Sequence, residues 1–90
     1  MAYSYANEKS KLFTDEGQRS FLKTRDKVRQ LLSESGAFMM EKAVSTTWER
    51  MAEIDRLVEL GEIVEVKLPG TGKTAGQHRT FVASDYYVIP

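Results

Sequence analysis

The chain has 90 residues, 41% hydrophobic and 29% charged, which are ordinary values for one small globular domain. Thirteen basic residues balance thirteen acidic ones, and this balance counts against a chain that coats nucleic acid by charge alone. The absence of cysteine excludes disulfides and thiolate metal sites, and there is one histidine, His78. No apolar run approaches the roughly 18 residues of a membrane span, and the first residues lack a secretory h-region, so we expect a cytoplasmic protein with no membrane partner.

The first residues are small, polar and rich in tyrosine, with no sustained period. We therefore predict a flexible N-terminal arm over 1–13 and one folded domain over 14–90.

A first helix is predicted over about 15–35. Thr14 is a suitable N-cap, and Asp15 and Glu16 follow where the helix dipole favours negative charge, although Gly17 weakens the first turn. Gly36 is a plausible C-cap. The side chains that recur at spacings of three and four and predict one buried stripe are Phe21, Thr24, Val28, Leu31 and Leu32.

Residues 37–45 have two interpretations, and the sequence leaves both open. Phe38-Met39-Met40 is compatible with a short strand, whereas Met39 to Val44 is compatible with one or two turns of helix.

A second long helix is predicted over about 47–60. Thr46 and Glu49 have the spacing of a capping box, and Gly61 is placed to end the helix. Its apolar stripe is Met51, Ile54, Leu57 and Val58. The opposite side is predicted to be exposed and mostly acidic, with Glu49, Glu53, Arg56 and Glu59.

A β-hairpin is predicted after this helix. Val64, Val66 and Leu68 alternate with charged residues, as in a half-buried strand, and 78–83 reads as its partner. The glycine-rich stretch 69–77 would be the turn. The apolar end of the chain, 86–89, would pack back or add a short strand.

Pro69 to Thr74, "PGTGKT", invites comparison with a nucleotide-binding phosphate loop. Such a loop needs a leading glycine where the chain has Lys67, and a helix afterwards where the chain has a β-type run. No nucleophile–base pair or paired carboxylates are suggested either. We predict no cofactor, no metal, no catalytic residue and no enzymatic activity.

The stretch Asp55 to Val64, "DRLVELGEIV", resembles the passage by which winged-helix domains leave their third helix and enter the wing. The order of helix, short segment, capped helix and hairpin over 19–84 resembles that helix-turn-helix variant as well. The resemblance implies a small α+β winged-helix-like domain with two principal helices and a β-hairpin wing. Its second helix would be short or missing, because 37–45 leaves little room.

The resemblance also implies a small DNA-binding regulatory protein of bacterial or phage origin, which contacts duplex DNA through the wing and the start of the capped helix. The nucleic-acid-binding residues that it assigns are Thr46, Thr47, Arg50, Lys67, Lys73, His78 and Arg79, with Glu49 and Glu53 also facing the groove. The wing is the expected phosphate contact, because no acidic residue lies from Val66 to Ser84.

Two further interpretations stay open. The acidic helix face and Trp48 would suit a protein-interaction module built on the same fold. On the first helix, Arg19, Lys23 and Lys27 form either a solvated face or a basic stripe that meets phosphates.

Overall fold

Helices cover one face of a three-stranded antiparallel sheet in the computed structural model, which describes residues 2–45, 47–66 and 79–84. In chain order the described elements are α1 (Tyr5–Glu8), a 3-10 turn (Lys9–Phe13), α2 (Asp15–Ser35), β1 (Ala37–Met39), α3 (Met40–Ala43), α4 (Trp48–Glu59), β2 (Ile63–Val66) and β3 (Thr80–Ala83). The fold is therefore a small winged-helix-like α+β domain with two principal helices and a short second helix, as predicted.

Helix α2 has the predicted bounds because its ends carry the right local chemistry. The Thr14 hydroxyl accepts a hydrogen bond from the Gly17 N–H at 2.9 Å, which satisfies one of the free donors of the first turn. At the other end Gly36 adopts φ 78°, a left-handed conformation that glycine enters without steric cost. Phe21, Thr24 and Val28 are buried on the stripe that their spacing predicts.

Helix α4 begins one residue later than the capping box predicts. The N-cap is Thr47, whose extended backbone lets its hydroxyl accept the Arg50 N–H at 3.4 Å. The assignment of this cap to Thr46 is thus corrected, and Thr46 itself lies outside the described residues. Gly61 has φ 80° and donates its N–H to the Val58 carbonyl, ending the helix as predicted.

Both interpretations of 37–45 are correct in part. Residues 37–39 pair with β3 as strand β1, and α3 follows at once as a single turn. The Met40 N–H still donates to the Arg79 carbonyl at 2.8 Å, so the sheet's hydrogen bonding continues to the first residue of α3.

The sheet has the order β1-β3-β2, and its register decides which side chains face the helices. Phe38, Phe81 and Glu65 are cross-strand partners on one face, where the two phenyl rings stack with centroids 5.3 Å apart. Ile63, which is 2% exposed, shares that face because it lies two residues from Glu65. Val64 and Val66 therefore point to the other face, which corrects the prediction that they form the buried side of this strand. Ile63 is its buried residue.

The core lies between α2, α4 and the helix-facing side of the sheet. Its buried members are Phe21, Val28, Phe38, Met40, Met51, Ile54, Leu57, Ile63 and Phe81. The predicted turn over 69–77 and the chain end over 86–89 lie outside the described residues.

Residues 2–13 are packed against the domain, which corrects the prediction of a flexible arm. We call residues 2–13 the N-terminal clasp. Leu12 is only 3% exposed, and its carbonyl accepts a hydrogen bond from Gln18 Nε2 at 2.6 Å. The segment has no sequence period because two short turns, not one amphipathic helix, carry its contacts.

Gly17 is required where the clasp meets α2. A Cβ atom at this position would collide with the Lys11 carbonyl oxygen and approach the Leu12 backbone to about 3.0 Å. The glycine that weakens the first helical turn therefore allows the 3-10 turn to lie directly on that turn.

We predict that Gly17→Ala lowers the free energy of unfolding, although alanine in a helix is ordinarily favoured over glycine by about 1 kcal/mol. Ser33→Ala, at an exposed position of the same helix, serves as the control and should be neutral or slightly stabilising. Urea denaturation of both variants is the measurement. A stabilised Gly17→Ala protein would contradict the packing of the clasp.

Candidate nucleic-acid interface

The predicted interface residues fall into three groups in the structure. Thr46, Lys67, Lys73 and His78 lie outside the described residues. Thr47 and Arg50 stand on the exposed first turn of α4, where Thr47 caps the helix and the Arg50 side chain is 35% exposed. Arg79 is separated from both, because it lies directly before the central strand β3, in an ion-pair network with α4 and β2.

Arg79 is committed to two carboxylates and is not a free wing cation. Its Nη2 lies 2.7 Å from Asp55 Oδ1 and 2.8 Å from Glu65 Oε1, with further hydrogen bonds from Nη1 and Nε. The guanidinium is also 5.1 Å from the centre of the Phe81 ring. The Arg79 side chain is only 16% exposed, so its predicted role as a phosphate contact is replaced by a structural one.

The charge of Arg79 is secured by its partners. Burial alone lowers the pKa of a guanidinium, but hydrogen bonds to Asp55 and Glu65, together with their Coulomb attraction, outweigh burial and raise the pKa of Arg79. The network joins α4, β2 and β3 at one point, and Tyr3 of the clasp adds a hydrogen bond to Asp55 Oδ2 at 2.6 Å.

Glu53 is buried, which corrects its placement on an exposed acidic face. Its side chain is 0% exposed; Oε1 accepts a hydrogen bond from the Thr24 hydroxyl of α2. Oε2 lies 3.1 Å from Arg50 Nη1, a distance at which the charges attract although no N–H is directed at that oxygen. Arg50 thus provides the nearby positive charge for this buried carboxylate.

Glu59 is held by the clasp. Lys9 Nζ lies 2.7 Å from Oε2, while the Tyr5 hydroxyl and Arg56 Nη1 each donate to Oε1 at 2.7 Å. These hydrogen bonds, from Lys9 first and then Tyr5 and Arg56, lower the pKa of Glu59 to about 2. Burial and the bond to Glu59 in turn raise the pKa of Tyr5 to about 12.

The clasp covers the outward side of α4 beyond its first turn. Arg56 stacks over the Phe13 ring at 5.2 Å, and Ala52 is 0% exposed. Since the core takes one side of α4 and α2 takes another, the exposed part of α4 near its start is Thr47, Trp48 and Glu49. Trp48 is 37% exposed, so part of its side chain is open to a ligand.

Other kinds of site find no support in the part of the chain that the structure describes. Within residues 2–45, 47–66 and 79–84 no three histidine or acidic side chains are grouped as a metal site would require. No helix among those same residues is both long and apolar enough to cross a membrane. Comparisons with protein-family models, with curated proteins and with solved structures find no match to this chain.

Sequence reasoning missed the tyrosines and buried polar pairs because their partners are far away in the chain. Tyr3 bonds to a residue 52 positions on, and Thr24 bonds to Glu53 across 29 positions. A weak signal was present for the second pair: Thr24 interrupts the apolar stripe of α2, and Glu53 stands between Ala52 and Ile54.

We predict that Arg79→Met lowers the free energy of unfolding by about 3 kcal/mol, because it leaves two part-buried carboxylates facing each other without a cation. Arg29→Met is the matched control, since Arg29 pairs with Glu62 at 3.2 Å on the surface, where such a pair contributes at most about 1 kcal/mol. Urea unfolding compares the two. Equal effects would contradict the structural role of Arg79.

A second prediction concerns acid. Because the folded-state pKa of Glu59 lies below its ordinary value of 4.5, its contribution to stability is full above that pH and is lost as pH falls toward about 2. Glu59→Gln should therefore have a lower free energy of unfolding than the wild type at neutral pH. The difference between the two proteins should shrink as the pH falls from 4.5 toward about 2. Urea midpoints at several pH values measure this. Lys9→Met should remove part of the same dependence; an unchanged acid profile in both variants would contradict the contact.

Proposed function

We propose that this protein is a duplex-DNA-binding module of winged-helix type, a small cytoplasmic regulator of bacterial or phage origin that acts by docking and not by chemistry. The winged-helix-like order of helices and strands supports the proposal. The cytoplasmic location follows from the proposed partner and belongs to the same proposal.

One observation carries the proposal: each of the four carboxylates of α4 lies in an ion pair. Glu53 is paired with Arg50, Asp55 with Arg79, and Glu59 with Lys9 and Arg56, while Glu49 lies 3.9 Å from Lys11 Nζ. The acidic helix face was the strongest physical objection to phosphate nearby. Since its charge is largely compensated within the domain, repulsion of a DNA backbone is much reduced.

The covering of α4 limits the proposed mode of docking. The clasp occupies the outward side of the helix, so only the first turn, with Thr47 and Trp48, is available to reach a groove. Few base edges are then in reach, and most of the affinity would come from phosphate contacts. Lys67, Lys73 and His78 of the wing stay in the proposed contact set as sequence-based predictions, whereas Arg79 is removed from it.

The alternative, a protein-interaction module, loses its main support. It relied on an exposed acidic helix face, and Glu53 and Glu59 are engaged within the domain. The exposed Trp48 is compatible with a protein partner, but it is equally compatible with contact to a DNA groove or a DNA base.

We expect the wild type to bind mixed-sequence duplex DNA with an affinity that falls steeply between about 50 and 200 mM salt. Glu49→Lys should tighten binding, because Glu49 is the exposed acid beside the first turn of α4. Fluorescence anisotropy on a labelled duplex is the measurement. Lys67→Gln combined with Lys73→Gln should weaken binding similarly for all sequences and flatten the salt dependence by about 2 in log–log slope.

Glu34→Lys is the control for Glu49→Lys, since it makes the same charge change at the far end of α2. It should change the affinity much less than Glu49→Lys does. No duplex binding by the wild type even at low salt would overturn the proposed function.

A further inference from the structure

A cleft opens where the clasp, α2 and the start of α4 meet. Its volume is about 740 Å³, within the usual range for ligand sites. The residues that line it are Lys11, Thr14, Glu16, Gly17, Arg19, Ser20, Lys23, Glu49 and Arg50. Four of them are cations and two are acids, so a chain of zero net charge has concentrated positive charge in this concave surface.

The cations of the cleft differ in how far they are already paired. Lys11 lies 2.9 Å from Glu8 Oε1, and Arg50 is engaged with Glu53. Within residues 2–45, 47–66 and 79–84, the side chains of Arg19 and Lys23 form no ion pair or hydrogen bond. They are one turn apart on the same side of α2, with a rise of about 6 Å between them. Two adjacent unpaired cations are therefore available to a ligand.

The wall opposite α2 is held in place. Thr14 Oγ1 donates to the Lys11 carbonyl at 3.2 Å, Gln18 fixes the Leu12 carbonyl, and Gly17 lets the 3-10 turn lie on the helix. The hydrogen bond to Glu8 raises the pKa of Lys11, so this lysine keeps its charge. A preorganised wall reduces the entropy that a ligand must overcome on binding.

We infer that this cleft is a phosphate-binding site. Arg19 and Lys23 supply the direct charge-assisted hydrogen bonds, and the Ser20 hydroxyl supplies a neutral one. Lys11 and Arg50, although each is paired with an acid, have N–H groups beyond those that the ion pair uses. A carboxylate ligand is less suited, because it presents fewer acceptor oxygens to donors that approach from three elements. The inference rests on the cleft itself: the phosphate can belong to a DNA strand or to a small phosphate-bearing molecule.

The test compares two double variants of the full chain that remove the same charge. Arg19→Gln with Lys23→Gln alters the cleft, and Arg29→Gln with Lys42→Gln removes one exposed arginine and one exposed lysine outside it. Pyrophosphate, followed by NMR amide shifts, and labelled duplex DNA, followed by anisotropy, are the two probes. Both positions of each pair are exposed, so folding should be preserved, and thermal unfolding checks this.

We expect the cleft variant to lose at least about tenfold in affinity for at least one probe, and the control variant less than about threefold. If the cleft variant loses affinity for the duplex alone, the ligand is a DNA strand. If it loses affinity for pyrophosphate alone, the ligand is a small phosphate-bearing molecule, and other residues bind the duplex. Equal losses in the two variants, or no binding of either probe by the wild type, would overturn the inference. Duplex binding that survives in the cleft variant would leave the proposed function intact, so the two failures are distinguishable.

Discussion

The contact on which the rest of the domain depends is the pairing of Arg79 with Asp55 and Glu65. Arg79 directly precedes β3, so the pairing joins the start of that strand to α4 and β2. It also compensates the charge of Glu65, which lies on the face of the sheet that packs against the helices. That face is otherwise apolar, and Glu65 without a cation there would oppose folding. Arg79 supplies that cation, so Glu65 can share this face of β2 with Ile63, which is buried in the core.

The same pairing fixes the N-terminal clasp. Asp55 accepts hydrogen bonds from Arg79 and from Tyr3, so the carboxylate that holds the strand also holds the start of the chain. Burial, with help from Asp55, raises the pKa of the Tyr3 hydroxyl, which therefore stays a donor at neutral pH. Helix α4 is thereby enclosed on its sheet side, its α2 side and its clasp side.

The sequence predicts those parts of the fold that local chemistry decides. The period of Phe21, Thr24 and Val28 and the caps at Thr14 and Gly36 determine α2 with no knowledge of its neighbours. The failures share one cause. Whether Glu53 is exposed depends on Thr24, and whether Arg79 is free depends on Asp55, 24 positions away. Angular position on a helix, or alternation in a strand, carries no information about such partners.

Charges counted along the sequence do not predict the surface potential of the candidate site. Counting charges along α4 predicts a surface that repels phosphate, and counting them along the wing predicts one that attracts it. Pairing weakens the first conclusion and removes Arg79 from the second. A charge that is compensated in an ion pair adds little to the surrounding potential, whereas an unpaired charge acts over roughly the Debye length of about 10 Å. Arg19 and Lys23 are only an i, i+4 pair of cations in the sequence. Because they are unpaired within the described residues, they contribute more to the positive surface potential than Arg79 does. A domain with zero net charge can still bind a polyanion wherever its acids are paired internally and some of its cations are not.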